Sequence, residues 1–151
     1  MICLVLIALL SPEAQMQKVI DIAQKEVAQG GLPFAAIITN SNGDIVAQAV
    51  NTVQHSHDPT DHAEIKALRM ATKKISSSEL KNHQIYAIGH PCPMCLEALR
   101  LAKVQKVYFA LSLSEKNKYL PQTKNPLQKQ QIPSQKKQAL QVFQTWSGLQ
   151  K

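Results

Sequence analysis

Residues 90–95 read HPCPMC, which sets Cys92 and Cys95 in a C-x-x-C spacing with a proline before each cysteine. Three chemistries use such a pair: thiol–disulfide exchange, half of a structural zinc site, or part of a catalytic zinc site. The hexapeptide alone does not choose among them. An upstream stretch, DPTDHAEIKALRMA at 58–71, adds His62 and Glu64 in an H-x-E spacing, thirty positions before Cys92. His62 and two thiolates make three ligands of the N and S types that zinc takes, and three ligands leave a fourth tetrahedral position open to water. Zinc lowers the pKa of such a water from ~15.7 to ~7. A carboxylate two residues past the histidine, Glu64, can flank that water and carry a proton to a leaving group. A closed structural site would need Cys3, His57 or His90 as a fourth ligand. Redox chemistry would leave His62 and Glu64 unexplained. His55, His57 and His83 read as loop histidines.

Working outward, hydrophobic spacing defines the elements around both motifs. Ser11-Pro12 is a helix start, with a capping hydroxyl and a proline in the first turn. Met16, Val19, Ile20, Ala23 and Val27 then recur at helical spacing until Gly30-Gly31. PFAAIIT (33–39) and IVAQAVN (45–51) are strands joined by the turn NSNGD. A polar loop over 52–59 leads to a helix capped by Thr60 and running to about Lys74. QIYAIG (84–89) is a third strand, a helix follows from about Pro93 to Lys103, and KVYFALS (106–112) is a fourth strand. Residues 114–133 show no clear periodicity, and SQKKQALQVFQTW reads as a final packed helix. A hairpin followed by strand–helix–strand alternation predicts an α/β fold, a three-layer α/β/α domain with a central mixed sheet.

Composition agrees with one folded domain. The chain has 151 residues, 44% apolar and 18% charged, enough to bury a core and unlike a disordered chain. Three cysteines, with Cys3 far from the pair, give no disulfide framework and fit a reducing, cytoplasmic setting. The net charge of +7 is uneven. Residues 1–102 carry eight Lys/Arg against nine Asp/Glu, whereas 103–151 carry nine Lys against Glu115 alone. That basic segment is either a solvated surface or a phosphate-contacting one. MICLVLIALL (1–10) is apolar but too short to span a bilayer, and it lacks the charged start of a signal peptide. It reads as an N-terminal extension to a domain over 11–151, with no membrane partner.

The order H-x-E, then P-C-x-x-C, resembles the signature of zinc-dependent nucleobase deaminases. The chain is similar to the cytidine and deoxycytidylate deaminase-like superfamily over about residues 12–112. It looks most like the guanine deaminase and tRNA-adenosine deaminase branch. The resemblance rests on GGLPFAAII, NTV (51–53), DPTDHAEIKALR and PCPMCLEAL. It implies a zinc cofactor held by His62, Cys92 and Cys95, and Glu64 as the proton-transferring residue. It further implies Asn51, Phe34 and the Ala63 amide as contacts to the base, and a homodimer. PCPMCL favours a small nucleobase or nucleoside substrate, guanine first. The basic C-terminal half favours tRNA and an adenosine deaminase. A non-catalytic, zinc-stabilised nucleic-acid-binding protein is the alternative of another class. Three positions depart from the family: His90 where an acid is usual, Asp61 where alanine precedes the histidine, and Leu101 where guanine deaminases often carry tryptophan. His90 is thereby a candidate substrate contact or fourth ligand.

Overall fold

The computed structural model describes residues 11–120. The expectations for residues 1–10 and for the helix near 134–146 lie outside the described residues.

Ser11 caps the first helix, α1 (Pro12–Ala28), its hydroxyl accepting the Ala14 N–H at 3.2 Å. β1 (Ala35–Thr39) and β2 (Ile45–Val50) form the predicted hairpin. Its turn is held by Asn40, whose Oδ1 accepts the N–H groups of Asn42 and Asp44, both at 2.9 Å. Gly43 takes a φ of 81°, a left-handed conformation that favours glycine. Buried Gln15 on α1 donates to the Gly43 carbonyl at 2.9 Å, tying helix to turn.

The expected loop after β2 contains a short helix, α2 (Val53–Ser56), ended by His57 in the left-handed conformation. The next helix, α3 (Ala63–Ile75), begins later than the sequence predicts, with His62 and not Thr60 as its N-cap residue. The Thr60 hydroxyl and N–H both donate to Asp58 Oδ1, at 2.6 and 2.8 Å, a local turn that competes with capping. β3 (Gln84–Gly89), α4 (Pro93–Leu101) and β4 (Lys106–Leu111) follow the sequence expectation closely. α5 (Leu113–Asn117) occupies part of the segment without clear periodicity. Its signal was a reciprocal capping box, in which Ser112 and Glu115 each bond the other's backbone.

The sheet runs β2-β1-β3-β4, antiparallel except for the parallel β3–β4 pair. Period-two alternation decides its two faces. Ala36 and Ile38 of β1, with Ile85 and Ala87 of β3, pack in one core cluster with α3 and Leu99 of α4. Ala35, Ile37 and Tyr86 pack on the other face with Val19 and Ala23 of α1. All five residues of β1 are buried, as expected for a strand covered on both sides. The three layers are therefore α1, the mixed sheet, and α3 with α4.

The α3 contact is built from small side chains. Ala63, Ala67 and Ala71 recur every fourth residue and meet Ala36, Ala47, Ala49 and Ala87. Alanines on both sides let helix and sheet approach closely, in the same way that small residues set close backbone packing elsewhere. That contact holds the start of α3 near the end of β3, from which the cysteines follow.

Candidate active site

Two helix starts and one strand end supply the site. His62 is the N-cap residue of α3, Cys92 is the N-cap residue of α4, and Cys95 lies in the first turn of α4. Pro93 at the first helical position starts α4 without sacrificing a hydrogen bond. The two thiols thus sit where the partial positive charge of a helix N-terminus stabilises thiolate.

The three donor atoms converge. Cys92 Sγ and Cys95 Sγ lie 3.6 and 3.5 Å from His62 Nδ1, and 3.5 Å from each other. Tetrahedral zinc with Zn–S of about 2.3 Å and Zn–N of about 2.0 Å requires separations of about 3.5 Å for N and S and about 3.8 Å for S and S. The donor set fits that ion in residue type and in spacing. Nothing among the described residues adds a fourth protein ligand to the cluster. Hydrogen bonding from the Cys95 thiol holds the Cys92 thiol well below its ordinary range, at about 5, with His62 acting in the same direction. The same interaction, with burial and the nearby Glu64 charge, pushes Cys95 upward. Without metal, the pair therefore behaves as one thiolate and one thiol, whereas coordination deprotonates both.

Glu64 follows His62 in the first turn of α3 and lines a cavity of about 340 Å³ that also reaches His62 and Cys92. Burial raises its carboxyl above the usual range, offset in part by its own backbone N–H, by His62 and by Lys116. A partly buried carboxylate beside a three-donor cluster is the arrangement that proton transfer to and from a metal-activated water needs.

Asn51 ends β2 at the cavity wall and is 9% exposed. Its N–H donates to the Phe34 carbonyl at 3.0 Å, and its Oδ1 accepts the Val53 N–H at 3.0 Å. Nδ2 has no acceptor among the described residues, so the amide keeps free donors on a residue that lines the cavity. Phe34 and Leu113 form apolar wall. Ala63 is buried and does not line the cavity, and its N–H has no acceptor among the described residues, as befits the first residue of a helix.

His90 stands apart from both donor cluster and cavity lining. Its Nδ1 lies 2.8 Å from the Pro91 carbonyl oxygen, and its ring meets Phe109 edge-on at 4.8 Å. Asp61 likewise adds no charge to the cavity lining, because it pairs with Arg69 at 2.5 Å. Leu101, the third departure noted from sequence, is 66% exposed. Sequence reasoning missed Gly89, Leu113 and Lys116, all of which line the cavity. The available signal was LSLSEKNKYLP after β4, where Ser112 and Glu115 stand at capping-box spacing and start the helix that carries Lys116.

Residues 11–111 match the zinc-binding region of cytidine and deoxycytidylate deaminases. The chain belongs to that family. The zinc cofactor inferred from the motif agrees with this match and with the donor cluster. Guanine deaminase of Bacillus subtilis (strain 168) is 37% identical over 99 residues, 65% of this chain and 63% of the relative. A tRNA-specific adenosine deaminase of Aquifex aeolicus (strain VF5) is 35% identical over 88 residues, 58% of each. These matches thus span less than two thirds of either curated relative's length. The X-ray structure of guanine deaminase from Bacillus subtilis superposes with a TM-score of 0.78 at 28% identity, covering 91% of this chain and 94% of that one. No helix among the described residues of this family member is long and apolar enough to cross a membrane.

Proposed function

We propose that this deaminase-family chain is a zinc-dependent hydrolytic deaminase of a purine-type base, with guanine the leading substrate. His62, Cys92 and Cys95 are the proposed zinc ligands. When bound, zinc supplies Lewis-acid activation of a water at neutral pH. Glu64 accepts a proton at its carboxylate and delivers it to the departing amine. For guanine, water and base are consumed and xanthine and ammonia are formed. Asn51 donates through Nδ2 to an acceptor on the base, the Ala63 N–H is a second donor at the start of α3, and Phe34 walls the ring. The observation that carries the reading is Glu64 lining the same cavity as His62, Cys92 and Asn51. Similarity to guanine deaminase over most of both chains supports the choice of base.

The second reading, adenosine deamination on tRNA, draws on the Aquifex aeolicus relative and on the nine lysines after residue 102. One experiment separates these readings. Ammonia release is measured from guanine, guanosine, adenosine, cytosine, cytidine and a tRNA anticodon stem, with bound zinc quantified. The expected result is turnover of guanine by protein carrying about one zinc per chain. Release from the RNA alone supports the second reading. No release from any of them by zinc-replete protein overturns the proposal.

A further inference from the structure

Lys116 reaches the cavity from α5, outside every motif that defines the family resemblance. It is partly buried, whereas Lys118 nearby is exposed. Its Nζ donates to the His90 carbonyl at 2.6 Å, which anchors the ammonium beside the segment leading to Cys92. Its stem crosses β3 at Gly89, where an added Cβ would lie 2.9 Å from Lys116 Cδ. The strand thus leaves room for the lysine at its cavity end. No carboxylate among the described residues lies within ion-pair distance of Lys116, although its charge reaches Glu64.

An ammonium carries three donors and no acceptor. One is spent on His90, and two remain on a side chain that lines the cavity. Asn51 also presents donors, because Val53 occupies its Oδ1. Two donor groups on one cavity match a substrate edge made of acceptors and conflict with an exocyclic amine placed against them. We propose that Lys116 is a specificity-determining residue that donates to a ring carbonyl oxygen of the base. The inference rests on the deaminase reading for its substrate class. A phosphate is the weaker match, because Lys116 lines the same cavity as His62, Cys92 and Glu64 and its charge acts on Glu64. A base would have to enter that cavity to react.

The test uses the zinc-loaded full chain as wild type, Lys116→Met and Lys116→Arg. Methionine keeps a stem along Gly89 and removes the charge and donors. Calorimetry compares hypoxanthine, which has the ring carbonyl and no reacting amine, with purine, which has neither. Ammonia release compares guanine with 2-aminopurine, which lacks the carbonyl, and guanosine with its 5′-monophosphate. A lost hydrogen bond from a charged donor predicts that Lys116→Met weakens hypoxanthine binding and raises the guanine KM by roughly tenfold or more. Purine binding and 2-aminopurine KM stay within about twofold, guanine kcat within a few-fold, and Lys116→Arg restores much of the loss. Equal weakening of hypoxanthine and purine overturns the proposal, as does no change in either. A loss confined to kcat, or to the monophosphate, also overturns it. If wild type releases no ammonia from any base, the deaminase reading fails while the hypoxanthine–purine comparison still decides Lys116.

Discussion

Replacing Glu64 with glutamine separates proton transfer from metal binding and from folding. Glutamine matches the carboxylate in shape and keeps an acceptor for the residue 64 N–H that now bonds the side chain. It cannot take up and release a proton. A general acid–base residue contributes roughly 10²–10⁴ in rate, or about 2.7–5.5 kcal/mol of barrier. The kcat for guanine is expected to fall by that factor with zinc content unchanged, since Glu64 is not among the clustered donor atoms. Stability moves the other way. Burial raises the native carboxyl pKa above its unfolded value, so the native state binds the proton more tightly. Above the unfolded value, near pH 4, stability falls as pH rises, and the full penalty of the desolvated carboxylate is reached beyond the raised native pKa. Metal-free Glu64→Gln is therefore more stable than metal-free wild type at pH 7, and the two converge near pH 4. Ammonia release, zinc analysis and urea denaturation at both pH values in chelator measure these effects. A kcat within tenfold of wild type, zinc loss, or a variant less stable at pH 7 would refute the reasoning.

Two further outcomes follow from the surroundings of the cluster. Asp61→Ala breaks an ion pair whose arginine is 54% exposed, so it should cost no more than about 1 kcal/mol in a denaturation titration. Because Asp61 does not line the cavity, kcat should be unchanged, and a change above about threefold contradicts that placement. Removal of zinc should expose a reactive thiolate at half-buried Cys92, with buried Cys95 reacting less. The iodoacetamide rate on Cys92, followed by peptide mass analysis, is expected to rise through pH about 5 and level off by neutrality. Added zinc should suppress it, whereas a rate still climbing above pH 9 would show an ordinary thiol.

Much of the fold was legible because it is written in local periods. The two-residue alternation in AAIIT assigns Ala36 and Ile38 to one face and Ala35 and Ile37 to the other. The Ser11-Pro12 cap and the Asn-Gly turn mark boundaries that the chain then adopts. The start of α3 was less legible, because Thr60 has two uses for its hydroxyl and the Asp58 turn takes it.

For the site, sequence by itself determined the donor types and their order: one imidazole and two thiols, with a carboxylate two residues past the imidazole. Residue identity fixes which chemistry a group can perform, and short spacings fix which groups share a helix turn. Tertiary structure alone decided that His62 meets the sulfurs through Nδ1 and that Asn51 presents donors. It alone also removed Asp61 from the cavity charge by pairing it with Arg69, and His90 from the metal cluster. Lys116 enters the cavity only because β4 and α5 bring it across Gly89. The partner of a flexible charged side chain is set by packing between distant segments, and no local period encodes it.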